Sequence, residues 1–217
     1  MYWSNCLKFM VTGDARRIEP GNMTLTHEIV LGSQSPRRAA FLTSLGLDFQ
    51  TLPLDVDESA PAHLSGVEVA AYVSELKAKA LSTRLESGQL GITSDTEVWQ
   101  NGHRFGKPRN EESAREMLEA LSGTTHQVIS GLTLVTVDNG TQQLTTETSV
   151  VTVYFSEIPD WAIDFYIKHY KPFDKAGAYG IQEWIGAGFI ERIEGNYNSV
   201  VGLDTAALFK LLLPYRK

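Results

Sequence analysis

"EIVLGSQSPRRAAFL", residues 28–42, carries a β-rich run into a helix through a tight polar corner. Glu28–Leu31 has the residue types of a strand. Gly32 and Ser33 interrupt it. Pro36 suits the first turn of a helix, and Ser35 is placed to cap that turn. The helix is expected to run to about Leu45, where Gly46 can stop it. Arg37 and Arg38 stand together at the same corner. The N-terminal end of a helix already attracts anions. The pair therefore either holds something negative or is ordinary surface charge.

Outward from this corner, extended and helical patterns alternate. Asp48–Leu52 reads as extended. Val67–Leu85 places Val69, Ala70, Val73, Leu76, Ala80 and Leu81 at helical spacing. Gly91–Ser94 and Glu97–Gln100 read as extended up to a hairpin turn at Asn101-Gly102. Asn110 caps a helix that ends near Gly123, with Glu111 and Glu112 in its first turn. His126–Val137 and Leu144–Tyr154 are long β-runs joined across Asp138-Asn139-Gly140. Ile158–Tyr170 reads as a helix, Phe189–Ile193 as a strand and Leu203–Leu213 as a final helix. Long hairpins beside crossovers predict one α/β domain with mixed strand directions.

Bulk composition narrows the function. The 217 residues are 42% hydrophobic and 21% charged, as in soluble globular proteins. No apolar stretch approaches the ~20 residues that span a bilayer, so no membrane role is expected. The net charge of −7 argues against binding a nucleic-acid polymer. It leaves room for a small anion, which needs only a few local cations. A single cysteine, Cys6, fits a reducing compartment and hence a cytoplasmic protein. Residues 1–22 lack periodicity and the layout of a secretory signal. They are expected to be a disordered extension before a domain over 23–217, and Met23 offers an alternative start.

Three further strings carry polar residues where a structural role is hard to find. In "SDTEVW", Asp95 follows a β-run; in "FGKP", Lys107 occupies a tight corner; in "DKAGAYGIQ", residues 174–182, small residues punctuate Asp174, Lys175, Tyr179 and Gln182. Each has a plain alternative. Asp95 could be a strand-end carboxylate, Lys107 a turn residue and Gln182 a buried hydrogen-bonding group. In "SELKAKAL", Lys77 and Lys79 are two residues apart, so on a helix they point about 200° from each other. Only one of them faces a given site.

"LGSQSPRRAAFL", "SDTEVW…FGKP", "LSGTTHQVISG" and "DKAGAYGIQ…IEGNYNSVVGL", in this order, resemble the Maf family of nucleoside triphosphate pyrophosphatases from about Ile29 to Leu213. "DKAGAYGIQ" further resembles the branch acting on dTTP and UTP, as distinct from the branch acting on 7-methyl-GTP. Three positions depart from the pattern: Ser94 where Ala is frequent, Glu97 where Val is usual, and Asp204 where Pro is common. The resemblance implies a mixed, curved β-sheet flanked by helices, similar to inosine triphosphatase-like proteins. It also implies a homodimer, and attack of water on the α-phosphorus to give a monophosphate and pyrophosphate.

The residues can be matched to that demand. Ser33, Arg38 and Lys107 suit phosphate oxygens, and the family's helix motif points to Lys79 rather than Lys77. Asp95, at the exit of a strand, suits the general base. By resemblance, Arg37, Thr96 and Gln182 select the base. Asp95 and the loop carboxylate Glu58 suit a hard cation such as Mg²⁺ or Mn²⁺. The five histidines show no zinc-ligand spacing, and no Gly-x-x-x-x-Gly-Lys-Ser/Thr string is present, which disfavours a P-loop enzyme. A nucleotide-binding regulator of cell division without turnover, and a hydrolase of another phosphorylated metabolite, are the competing readings.

Overall fold

The computed structural model describes residues 23–217. The expected disordered extension over 1–22 lies outside the described residues. In chain order the elements are β1 (Glu28–Leu31), α1 (Pro36–Ser44), β2 (Phe49–Thr51), α2 (Val67–Ser82), β3 (Gln89–Gln100) and β4 (His103–Phe105). There follow α3 (Glu111–Leu121), β5 (Thr125–Asp138), β6 (Thr141–Phe155) and α4 (Asp160–Tyr170). The chain ends with α5 (Trp184–Phe189), β7 (Ile190–Glu194), α6 (Tyr197–Val201) and α7 (Thr205–Leu212).

The strands form one seven-stranded mixed sheet in the order β2-β1-β3-β5-β6-β7, with β4 folded back on β3. β1 is parallel to β2 and β3, and the remaining pairs are antiparallel. Both hairpin turns read from the sequence form where expected. Asn101 and Gly102 have φ of 50° and 77°, and Asn139 and Gly140 the same values. Positive φ at both central residues matches the right-handed twist of the flanking strands.

The lengths of β1, β3 and β4 create the opening on which the site depends. β1 pairs with residues 89–92 of β3 and then stops. β4 pairs with residues 98–100. Between them, residues 93–97 of β3 have no neighbouring strand on that side, although β5 covers their other edge throughout. The Gly32–Ser35 corner leaves the sheet at this gap. Ser35 occupies the N-cap position of α1 but its side chain makes no capping bond. Its N–H instead donates to Ser33 Oγ at 3.1 Å, so the corner is held by Ser33, against the sequence expectation.

Helices cover both faces of the sheet. Ile92 packs with Leu31, Leu42, Leu203, Leu208 and Leu212, joining β1 and β3 to α1 and α7. α2 lies on the opposite face, where Val30, Ala78, Leu81 and Val135 are buried together. Its approach is close because Gly131 of β5 has no side chain. A Cβ there would lie 2.1 Å from the Ala70 carbonyl oxygen and 2.8 Å from Ser74 Oγ. Ser74 Oγ is also 2.9 Å from Thr133 Oγ1, and Thr93 Oγ1 donates to the Ser74 carbonyl at 2.8 Å. These contacts set the height and phase of α2 over β3. Gly131→Ala is expected to force α2 off the sheet and destabilise the fold by about 1–3 kcal/mol, the usual cost of overpacking. A urea midpoint equal to that of the wild type would show that α2 does not need this close approach.

Candidate active site

The gap beside β3 opens into a cavity of about 600 Å³. Its walls come from the Gly32–Ser35 corner, the start of α1, β3, the Gly106-Lys107 turn, the 174–182 segment and the α6–α7 junction. Arg37, Arg38, Lys77, Arg104, Lys107 and Lys175 line it together with Glu58, Asp95, Glu97 and Asp174. Six cations against four carboxylates leave a local excess of positive charge, although the whole chain carries −7. Such a cleft concentrates anions.

Strand alternation sorts β3 into two rows. Asp95 and Glu97 point to the α2 face. Ser94 and Thr96 point to the α6–α7 face, where Ser94 Oγ donates to the Gly202 carbonyl at 3.3 Å. On the α2 face, Lys77 Nζ lies 2.7 Å from Asp95 Oδ1 and 2.8 Å from Glu58 Oε1. Asp95 is 6% exposed. Burial pushes its pKa up, but the charge of Lys77, a hydrogen bond with Glu97 and the charge of Arg38 outweigh that and hold it below the ordinary range. Asp95 is therefore ionised at neutral pH. Glu97, two residues on, is pushed up to about 7 by burial, aided by Asp95 and opposed by Arg104. Neighbouring carboxyl groups driven apart in this way are characteristic of acid–base sites.

On the other face, every nitrogen of Arg38 is tied down. Nε donates to the Gly202 carbonyl at 2.8 Å, Nη1 to Ser33 Oγ at 3.3 Å and Nη2 to Thr96 Oγ1 at 3.4 Å. Thr96 Oγ1 also lies 3.3 Å from Ser130 Oγ. Arg37 points elsewhere and pairs with Asp174 Oδ2 at 2.9 Å. The two adjacent arginines thus have different partners: one is locked into the cavity wall, and the other ties α1 to the 174–182 segment.

That segment is stiffened from behind. Gly177 has φ 67° and sits against Val98, where a Cβ would be only 3.1 Å from the side chain. Lys175 Nζ bridges Asp174 at 2.7 Å and Glu183 at 3.1 Å. Tyr166 of α4 accepts from the Gly180 N–H at 3.1 Å and donates to Glu183. Tyr179 OH is 2.7 Å from His126 Nε2. Burial lowers the His126 pKa to about 4 and raises that of Tyr179, so this buried pair is uncharged at neutral pH. Gln182 reaches the same cavity.

Ser33, Arg37, Arg38, Glu58, Asp95, Thr96, Lys107 and Gln182, all singled out from the sequence, line this single cavity. Lys79 does not. It is exposed on the far side of α2, and Lys77 occupies the cavity wall. The correction follows from helix phase, because Val73, Ser74, Lys77 and Ala78 form the buried row of α2 and Lys79 falls outside it. Lys175, noted in the 174–182 string but given no role, is a further cavity cation, and so is Arg104, which sequence reasoning missed. Arg104 had a signal: the Asn101-Gly102 turn sets it opposite Trp99, on the same face as Glu97. The three departures noted in the sequence also have partners. Ser94 bonds the Gly202 carbonyl, Glu97 pairs with Arg104, and Asp204 caps α7 by accepting from the Ala207 N–H at 2.9 Å.

A mixed α/β sheet with a locally cationic cavity and one buried, ionised carboxylate defines a protein built to hold a polyanionic small molecule. The family model described as Maf-like protein matches residues 28–214, and the chain belongs to the Maf family. A protein of Flavobacterium johnsoniae named dTTP/UTP pyrophosphatase is 41% identical over 186 residues, covering 86% of this chain and 94% of its own. One of the same name from Phocaeicola vulgatus is 45% identical over 185 residues, covering 84% and 93%. Among solved structures, a HAM1 protein from Coxiella burnetii aligns over 61% of this chain and 75% of its own. Its TM-score of 0.42 and 20% identity make the likeness too loose to carry an argument.

The placement of the two lysines has a direct test. In calorimetric titration with inorganic tripolyphosphate, Lys77→Met is expected to weaken binding about tenfold or more, equivalent to ~1.4 kcal/mol. Lys79→Ala should stay within about twofold, as a solvated surface charge does. The reverse ranking would return the site to Lys79.

Proposed function

We propose that this chain hydrolyses nucleoside triphosphates to the monophosphate and pyrophosphate, with dTTP and UTP as preferred substrates. The observation that carries this reading is the buried, ionised Asp95 facing a cavity with an excess of cations. It is supported by the name borne by relatives at 41% and 45% identity.

In this scheme a water hydrogen-bonded to Asp95 attacks the α-phosphorus. A new P–O bond forms, the bond to the bridging oxygen breaks, Asp95 takes the water's proton and pyrophosphate leaves. Arg38, Lys77 and Lys107 offset the charge that spreads over the non-bridging oxygens. Ser33 and the N–H groups at the start of α1 add hydrogen bonds. Lys77 has a second effect, since its ammonium keeps Asp95 deprotonated and aimed. Gln182, with Arg37 and Thr96, reads the base. Its amide offers both a donor and an acceptor to the O4 and N3–H of thymine or uracil.

Asp95 and Glu58 are the residues that would hold a divalent cation, through the carboxylate oxygens that Lys77 Nζ does not engage. Asp95 and Glu58 supply hard carboxylate oxygens to the cavity. Among the described residues no group of three or more His, Cys, Asp or Glu is arranged to hold a metal by itself. The substrate's phosphates would complete the coordination, as is usual for Mg²⁺. A bound cation would supply Lewis-acid stabilisation of the phosphates. Cytoplasmic action, which rests on the single cysteine, and a homodimeric state, which rests on the family resemblance, belong to the same proposal. No helix among the described residues is long and apolar enough to cross a membrane.

Two measurements test this reading. Asp95→Asn is expected to keep the fold and nucleotide binding while turnover falls about 10²-fold or more, and EDTA should abolish the wild-type rate. Undiminished turnover in the purified variant would remove Asp95 from the mechanism.

A screen of nucleotides should give the highest kcat/KM with dTTP and UTP. CTP presents the opposite donor–acceptor pattern and should fall well behind, because the site's polar groups would be left unpaired. Gln182→Ala should lose this selectivity more than it loses triphosphate affinity. Preference for CTP or 7-methyl-GTP would overturn the substrate assignment.

A further inference from the structure

Glu97 stands where the family resemblance leads one to expect valine, and it does not stand alone. Arg104 forks onto it from the paired strand: Nη2 is 2.6 Å from Oε1, and Nε donates to Oε2. The turn at Asn101-Gly102 sets this geometry, because it pairs Arg104 with Trp99 and so brings the guanidinium diagonally across to Glu97. The carboxylate is nearly sealed, with its side chain 4% exposed, whereas that of Arg104 is 35% exposed. Both line the cavity, on the same face of β3 as Asp95. The fork engages Nε and Nη2 and leaves Nη1 without a hydrogen-bond partner among the described residues. Two residues after β4 ends, the chain reaches Lys107, so Arg104 lies on the arm that connects the Asp95 row to the Lys107 corner.

We infer that Arg104 is a positioning residue for the pyrophosphate half of the substrate, held in place by Glu97. A guanidinium fixed along one edge by a carboxylate loses little entropy when its free nitrogen meets an anion. Its place between Asp95 and Lys107 puts that nitrogen beside the β- and γ-phosphates when the α-phosphorus is next to Asp95. Glu97 and Arg104 thus form an added clamp on the leaving group, held by a carboxylate that stands where the family pattern has valine. This inference rests on the proposed triphosphate chemistry. It can be tested without turnover, because pyrophosphate and the monophosphate are themselves ligands.

A plain structural pair, in which Arg104 merely neutralises Glu97, makes a different prediction. The test uses Arg104→Met and the double variant Glu97→Val/Arg104→Met, which removes both charges and leaves no buried carboxylate unpaired. Binding of pyrophosphate and of dTMP is measured by calorimetric titration, and folding by thermal melting. The double variant is expected to melt like the wild type, bind pyrophosphate about tenfold more weakly and bind dTMP unchanged. Arg104→Met should show the same loss for pyrophosphate. Wild-type pyrophosphate affinity in the folded double variant would overturn the clamp, and so would an equal loss for pyrophosphate and dTMP. Failure of the triphosphatase reading would appear separately, as absent turnover in the wild type with pyrophosphate binding intact.

Discussion

The ammonium of Lys77 holds the site together. It bridges Asp95 on β3 and Glu58 on the loop before α2, at 2.7 and 2.8 Å. Two of these three charges are almost fully removed from water, and removal from water is costly unless the geometry is good and the partners are complete. The fold meets that condition in advance. Gly131 lets α2 lie close on β5, and Ser74 locks the rotation of the helix through Thr133 and Thr93. Lys77, one turn further along α2, then arrives over Asp95. The carboxylate is kept ionised by the same contact that fixes its direction. Asp95 is therefore charged at neutral pH and fixed on the cavity wall.

A second constraint is topological. β1 ends at residue 31 while β3 continues to residue 100, so the central strand is bare along one edge for a few residues before β4 covers it. Open α/β sheets place ligands at such strand ends. The two side-chain rows of bare β3 serve different neighbours. Asp95 and Glu97 meet α2 and β4. Ser94 and Thr96 meet Arg38, Ser130 and the α6–α7 junction. A ligand entering the gap therefore meets the ionised carboxylate on one side and the pinned arginine on the other. Distance along the chain is no obstacle. Arg37 pairs with Asp174 across 137 positions, drawing the 174–182 segment towards the start of α1.

Much of this was legible in the sequence, for local reasons. Asn-Gly turns demand positive φ and so fixed both hairpins. Asn110 announced the start of α3, where the structure shows a reciprocal capping box with Ser113. The apolar spacing of α2 carried its phase as well as its position, since Val69, Ala70, Val73 and Leu81 share a side with Lys77 and not with Lys79. The family's helix motif, not the periodicity, pointed to Lys79. The Arg104–Glu97 pair depends on strand register, and the Tyr166–Glu183–Lys175 brace depends on α4 packing behind the 174–182 segment. Neither contact is local in sequence. The short α5 was missed because six residues carry too little periodicity to read. Ser35 takes the N-cap position without a capping bond, and the corner is held instead by its N–H on Ser33 Oγ.

The central claim is that the cavity aims water at the α-phosphorus, with Asp95 behind the attack. Hydrolysis of dTTP in water enriched with heavy oxygen, followed by mass spectrometry of both products, tests it most directly. The account predicts that the label appears in dTMP and not in pyrophosphate. Label in the pyrophosphate would mean attack at the β-phosphorus. Asp95, Lys77 and Arg38 would then have to surround a different atom of the substrate.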